Sequence, residues 1–121
     1  MPVFRGTDLS YVPLPGRRSA DPLPPGVADP CSLRVVRIPP GPRTPHRHPH
    51  SWEVVYVAEG TGRIWEGDHA TAAGAGDVVA IPPGVPHATV CTGRSELVLV
   101  CFFPHPDLSG NLDELGGPVR D

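Results

Sequence analysis

The sequence predicts an all-β domain, either a sandwich or a barrel. About seven short apolar runs have the composition of strands, and turn residues separate them at close intervals. The 18 Pro and 14 Gly punctuate these runs and do not form one low-complexity block. A chain of 121 residues is long enough to bury one core, so any function has to fit one domain and one pocket.

Composition narrows the classes of function. The net charge of -3 comes from 13 acidic and 10 basic residues without a run of like charge, so we expect no nucleic-acid or membrane-surface partner. All ten basic residues are Arg, which excludes a lysine Schiff base and otherwise indicates a compositional bias. The three Cys are too widely spaced for a disulfide framework or a zinc ribbon. No stretch has the length of a signal peptide or a membrane span, so we expect a soluble, cytoplasmic protein.

Residues 1–30 are rich in Pro, and their LPGRR and DPLPPG segments are unsuited to a helix or a central strand. We therefore predict an extended N-terminal arm, then a β-domain over residues 31–106 and a tail over 107–121. Within the tail, residues 108–115 have the pattern of a short helix, with Ser109 or Asn111 as a cap and Gly116 and Gly117 as the stop.

The predicted strands follow one another through the β-domain. The best of them covers 53–58, where an inward-facing Glu53 would place Val55 and Val57 on the same side. The other predicted strands cover 32–38, 62–65, 70–73, 77–81, 87–91 and 96–103.

The stretch 41–60 gathers three His and one Glu within eight residues and has the composition of half a metal site. His46 and His48 are two residues apart, so on an extended chain both imidazoles project to the same side. Glu53 has the opposite parity and joins them only if the chain turns between, for which Pro49, His50 and Ser51 are suited.

The stretch 76–87 supplies the other half, because an apolar strand meets a Pro-Pro-Gly turn that delivers His87 at the start of the next strand. Three imidazoles and one carboxylate hold a divalent first-row metal, namely Fe, Mn, Ni, Co, Cu or Zn, whose identity the sequence leaves open. Such a set commonly leaves a position for water or substrate, unlike a closed structural zinc site. For any single His, a local hydrogen-bonding role is the alternative.

Together the two stretches resemble the two signature motifs of the cupin family. The matching positions are Gly41, His46, His48, Glu53 and Gly60, then Gly76, Pro82, Gly84 and His87. Two positions differ: Gly41 is one residue nearer the first His than usual, and Cys91 stands where the second motif has Asn. The resemblance implies a single jelly-roll β-barrel, a bound metal held by His46, His48, Glu53 and His87, and an N-terminal arm that crosses to a second subunit. Unpaired sheet edges also favour a homodimer.

Four further residues are candidates for the pocket or for support of the ligands. His50 would orient a ligand or shuttle a proton, with a solvated turn histidine as the alternative. Cys91 shares strand parity with His87 and faces the same interior, where buried packing is the alternative to a nucleophilic role. Trp65 and Phe103 would be aromatic walls of the cavity, or else core residues.

The sequence is consistent with three alternative functions. The resemblance implies a metal-dependent enzyme that acts on a small molecule, and we favour a dioxygenase acting on a small carbonyl, acid or phenolic metabolite. Glu53 would be its catalytic residue, balancing charge or accepting a proton. The first alternative is a non-redox isomerase, cyclase or lyase. The second is a ligand-binding or sensor protein without turnover.

Overall fold

The computed structural model describes residues 1–121 and contains eleven strands. The strands are β1 (Tyr11–Leu14), β2 (Arg17–Ala20), β3 (Ser32–Ile38), β4 (His46–Arg47), β5 (Glu53–Glu59), β6 (Thr61–Glu66), β7 (His69–Gly74), β8 (Val78–Ile81), β9 (His87–Cys91), β10 (Leu97–Phe103) and β11 (Asp113–Glu114). The one helical segment, Gly6–Asp8, is a single 3-10 turn. No helix of the chain has the length and apolarity required to cross a membrane.

The strands form two antiparallel sheets that face each other, as in a jelly roll. One sheet has the order β1-β2-β3-β10-β5-β8 and the other has the order β11-β4-β9-β6-β7. All seven strands predicted from the sequence are present, and β3 and β9 have the predicted bounds. The all-β prediction is therefore confirmed.

The core lies between the sheets, where alternate residues of each strand point inward. On β5, Glu53, Val55 and Val57 are buried while Tyr56 is exposed, as the alternation predicted. The buried apolar side chains form one cluster: Ile38, Val55, Val57, Ile81, Cys91, Leu97, Leu99, Cys101 and Phe103. Part of this cluster, including Cys101 and Phe103, lines the same cavity as the buried polar residues His48 and Glu53.

The N-terminal 30 residues are more ordered than the predicted extended arm. Strands β1 and β2 form a hairpin, and β2 pairs with β3 of the same chain, so the hairpin continues the six-stranded sheet. The prediction that this stretch cannot supply an inner strand was wrong. Its prolines lie at strand ends, in loops and, in the case of Pro13, on the edge strand β1, where a missing N–H is tolerated.

The predicted C-terminal helix over residues 108–115 is also wrong. Asp107 accepts hydrogen bonds from the Ser109 hydroxyl and the Gly110 N–H, which closes a tight turn in place of a helical one. The chain then extends into β11, which pairs with β4. An eight-residue segment is too short to nucleate a helix without packing support, so the strand pairing prevails.

Candidate metal centre

Strand pairing brings the two halves of the predicted site together. His46 on β4 is the register partner of His87 on β9, which places two imidazoles side by side across one sheet. Glu53 begins β5 on the opposite sheet and closes the group from the other side. His48 follows β4, and its carbonyl oxygen accepts a hydrogen bond of 2.8 Å from the Gly84 N–H. Gly84 has φ +77°, a conformation that favours glycine, so the Pro-Pro-Gly turn is fastened directly to the first motif.

The four predicted ligands converge in the interior. One donor atom from each of His46, His48, Glu53 and His87 lies within 4.8 Å of the other three, and all four residues are buried. The imidazole centroid of His46 lies 5.1 Å from that of His48 and 4.5 Å from that of His87.

Hydrogen bonds to backbone carbonyls set the tautomers of two of these histidines. The Nδ1 of His48 lies 2.9 Å from the Asn111 carbonyl oxygen, and the Nδ1 of His87 lies 2.9 Å from the Val85 carbonyl oxygen. A carbonyl only accepts, so both Nδ1 atoms carry the proton and donate it, which leaves the Nε2 lone pairs directed elsewhere. This is the arrangement by which proteins orient metal-binding histidines.

Both Nε2 atoms face the same oxygen of Glu53. Oε1 lies 3.1 Å from His87 Nε2 and 3.5 Å from His48 Nε2, yet neither nitrogen has a hydrogen-bond partner of acceptable geometry. A neutral imidazole with its proton on Nδ1 presents only a lone pair to this oxygen, so the group is completed by a cation between these atoms, either a proton or a metal ion.

The electrostatics of the group suit metal binding. Burial, and then the neighbouring His87 and Arg17, hold the pKa of His46 well below its usual value, so its ring is neutral and one ring nitrogen offers a lone pair. Burial by itself would raise the pKa of Glu53, but hydrogen bonds from the His48 and His87 rings in their protonated form outweigh it, and the pKa falls well below its usual range. The carboxylate is therefore ionised.

These residues fit a divalent metal. Three imidazoles and one carboxylate offer four donor atoms of the types that first-row metals prefer, and one buried ring nitrogen of each histidine has no hydrogen-bond partner in the chain. His46, His48, Glu53 and His87 would hold the ion.

A cavity of about 50 Å³ adjoins the four ligands. Its lining includes Arg17, Arg34 and Arg43, whereas Glu53 is the only carboxylate among the lining residues. Arg17 is paired with Glu114 at 2.6 Å. Burial, and then the positive charge of Arg17, lower the pKa of Arg43 to about 10, so its guanidinium remains protonated at neutral pH. Arg34 is paired with Asp21 at 3.2 Å, so Arg43 is the one cation of the cavity that no carboxylate pairs.

The other predicted site residues are divided between the cavity and its surroundings. Phe103 lines the cavity and packs edge-on against His48, with ring centroids 4.7 Å apart. Cys91 faces inward as its parity predicted, but it lies further along β9 in the apolar core, where its thiol donates to the Ser95 carbonyl. It does not line the cavity.

Trp65 and His50 also lie outside the cavity. Trp65 has the opposite parity to the inward-facing Ile64, so its ring stands on the outer face of the five-stranded sheet and its Nε1 donates to the Asp121 carbonyl oxygen. The prediction of a cavity wall at Trp65 was therefore wrong. His50 is exposed, and only its backbone N–H is engaged, with the Asn111 side chain.

Sequence reasoning missed three residues at the site. Arg43 lies three positions before His46, but the Arg-rich composition concealed its importance. Cys101 lines the cavity beside Glu53, and burial, followed by the charge of Glu53, raises the pKa of its thiol well above the usual value. Asn111 is fully buried and engages both His48 and His50. Only the three-dimensional fold relates Asn111 to the motifs.

Comparison with known proteins gives a family match and many structural relatives. The family model described as "Cupin domain" matches residues 34–103, which is more than half of the chain. A search of curated protein sequences found no significant match.

Three solved structures illustrate the range of relatives. An oxalate decarboxylase from Lactobacillus farciminis is 26% identical, with a TM-score of 0.75, over 90% of this chain and 34% of its own length. The chain thus spans about a third of that enzyme. The polyketide cyclase RemF from Streptomyces resistomycificus is 23% identical, with a TM-score of 0.77, over 98% of this chain and 87% of its own. The nucleoside dehydratase Pac13 from Streptomyces is 16% identical, with a TM-score of 0.76, over 95% and 91% of the two chains.

Proposed function

The chain belongs to the cupin family, and from this membership and the four-ligand cluster we propose that it is a metal-dependent enzyme acting on a small organic molecule. The observation that carries the proposal is the buried set of His46, His48, Glu53 and His87, whose donor atoms converge beside a cavity and whose ring nitrogens include three without a hydrogen-bond partner in the chain. When bound, a metal supplies Lewis-acid polarisation of a carbonyl or carboxyl oxygen, or activation of water or dioxygen.

The residues around the ligands suit a reaction that develops negative charge on the substrate. Of the three arginines that line the cavity, Arg17 is paired with Glu114 and Arg34 with Asp21, which leaves Arg43 as the fixed positive charge that would stabilise an enolate or carboxylate there. A small, buried cavity limits bulk water, which strengthens these interactions.

Glu53 is the group best placed to move a proton. It is the only carboxylate that lines the cavity and no arginine pairs with it, so an oxygen of Glu53 would accept a proton from a bound substrate and return it later. The Cys101 thiol beside it stays protonated, because burial and the charge of Glu53 raise its pKa, so we assign Cys101 a packing role.

We place a non-redox lyase, cyclase or isomerase first, ahead of the dioxygenase that the sequence favoured. Two observations support this order. The unpaired cation Arg43 in the cavity suits anionic intermediates of non-redox chemistry, and the relatives that match nearly the whole chain are described as a cyclase and a dehydratase. The dioxygenase stays as the second candidate because a three-His, one-Glu ligand set also suits Fe(II).

Turnover with and without oxygen tests the proposal and orders the two candidates. Protein as purified and protein treated with a chelator would be incubated with a panel of small keto acids, diketones, dicarboxylic acids and hydroxylated cyclic compounds, under air and under argon. We expect metal-dependent turnover that is equal in both atmospheres. Turnover under air alone would favour the dioxygenase. Equal activity of the chelated protein would contradict a metal-dependent enzyme.

A further inference from the structure

Arg43 is a buried cation with an unused hydrogen-bonding edge. Arg43 is only 3% exposed, and one of its terminal nitrogens, Nη1, donates a hydrogen bond of 2.8 Å to the Thr89 carbonyl oxygen. The Nε and Nη2 atoms are buried and have no hydrogen-bond partner in the chain. Those two N–H groups form the edge of the guanidinium that binds a carboxylate through two parallel hydrogen bonds.

No acidic side chain of the chain is available to fill this edge. Of the carboxylates near Arg43, Glu114 is paired with Arg17, and Glu53 faces His48 and His87. Buried charges are normally paired, so a guanidinium that the fold leaves unpaired indicates an external anion.

The N-terminal hairpin holds Arg43 in place. Gly16, at the hairpin turn, has φ +70°, and a Cβ atom built there would lie 2.6 Å from Arg43 Cδ and 2.7 Å from Nε. Glycine at this position therefore lets the backbone pack directly against the Arg43 side chain. Thr89 fixes the other end of the guanidinium, so its free edge has a defined orientation before any ligand binds.

Arg43 lines the same cavity as the four metal ligands but is anchored on β9 at some distance from His87. Its anchor Thr89 is two residues from His87 on β9, which corresponds to about 7 Å along a strand. Both Arg43 and the four ligands line the same cavity of about 50 Å³. A small molecule with two oxygen-bearing ends would therefore span from the guanidinium to the cluster.

We propose that Arg43 is the receptor for a carboxylate of the substrate, which is a small acid with a second oxygen function, such as an oxo acid or a dicarboxylate. The inference rests on the proposed function, because it assigns the substrate class of the same cavity. The carboxylate accepts hydrogen bonds from Nε and Nη2, and the second oxygen function faces His46, His48, Glu53 and His87. Arg43 acts in binding and orientation and takes no proton.

Malonate, a three-carbon dicarboxylate, is a suitable probe, and neutral malonamide is its matched control. Calorimetric titration would compare the wild-type protein, in its metal-bound form, with Arg43→Met, Arg43→Lys and the exposed control Arg94→Met. Metal content and thermal unfolding would be measured on each variant. We expect Arg43→Met to weaken malonate binding by about 10- to 100-fold, the effect of losing a charge-assisted pair. The malonate affinity of Arg43→Lys should lie between those of wild type and Arg43→Met. Arg94→Met should bind malonate as tightly as wild type, and all variants should have the wild-type metal content.

Several outcomes would overturn the inference. Wild-type protein that does not bind malonate, or Arg43→Met that binds it as tightly as wild type, would remove Arg43 as a carboxylate receptor. A purely structural Arg43 would lower the unfolding temperature when replaced and leave malonate affinity alone. If Arg43→Met does not fold, Arg43→Lys decides, since it retains the charge without the two-donor edge. Metal-dependent turnover of neutral substrates alone would retain the proposed function and reject this inference.

Discussion

The Nδ1 atom of His48 lies 2.9 Å from the carbonyl oxygen of Asn111, a residue 63 positions further along the chain. The same Asn111 accepts a hydrogen bond of 2.7 Å from the His50 N–H through its side-chain oxygen. One buried residue of the C-terminal segment thus fixes both the tautomer of a metal ligand and the turn that follows it.

Replacing Asn111 should therefore affect stability and metal binding together. Asn111→Ala leaves the His50 N–H without its partner and opens a cavity, so we expect a loss of about 1 to 3 kcal/mol in unfolding free energy. Metal affinity should fall by about 10-fold or more, because the side-chain bond to His50 holds in place the Asn111 backbone carbonyl that orients His48. Chemical denaturation and metal titration measure the two effects. The exposed control Ser10→Ala should change neither, and an Asn111→Ala protein with wild-type metal affinity would contradict the assigned role.

Replacing Glu53 by Gln should weaken metal binding without lowering the stability of the metal-free protein. Its carboxylate oxygen faces two imidazole nitrogens that act as acceptors, so Glu53→Gln removes a charge and supplies an N–H donor toward them. We expect metal affinity to fall by at least about tenfold, or about 1.4 kcal/mol. Without metal, at about pH 8, where histidine is normally neutral, the variant should be as stable as wild type or more stable.

His69→Gln, an exposed histidine outside the cluster, is the matched control for Glu53→Gln. It should leave both metal affinity and stability unchanged. A Glu53→Gln protein that is less stable than wild type after chelation would show that the carboxylate is satisfied without a metal.

The cysteines should differ sharply in reactivity. Burial, and then the charge of Glu53, raise the pKa of Cys101, and Cys91 is buried in the core, whereas Cys31 is partly exposed. The thiolate is the reactive form, so native protein should react with a thiol reagent at one site and denatured protein at all three. Mass spectrometry after labelling identifies the sites. Rapid labelling of Cys101 in native protein would show that the cavity opens to solvent.

Much of this architecture was predictable from the sequence. Strand parity and turn residues are local properties, and they predicted that His46, His48 and Glu53 come together, whereas the resemblance to the cupin motifs supported the addition of His87. The hairpin of residues 11–20 was not predicted, because its prolines lie at positions that only the sheet edge makes tolerable. Asn111 and Arg43 were missed for a related reason. Their roles depend on contacts with residues far along the chain, which periodicity does not reveal.

We propose that the outer face of the six-stranded sheet is the interface of the predicted homodimer. Tyr56 and Val78 are register partners on this face and are about half or more exposed, and Phe102 lies close by on β10. An exposed apolar surface of this kind favours association, and a second copy would present the same surface. We expect a dimer in light scattering and a monomer for the double variant Tyr56→Glu and Val78→Glu.

Truncation of the N-terminal hairpin distinguishes this face from the hairpin as the dimer interface. Because β2 pairs with β3 of its own chain, a version that begins at Asp29 should remain dimeric but become less stable. The exposed control Val119→Glu should stay dimeric as well. A dimer that persists in the Tyr56 and Val78 double variant would place the interface elsewhere, and dissociation on truncation would assign it to the hairpin.

Metal content tests the central claim most directly. Protein purified without added metal would be analysed for all first-row metals, beside a His46→Ala and His87→Ala double variant and the exposed control His69→Gln. We predict about one divalent metal ion per chain in wild type and control, and close to none in the double variant, because two of four ligands are gone. Wild-type protein that stays metal-free even after incubation with Mn, Fe, Co, Ni, Cu and Zn would contradict the account.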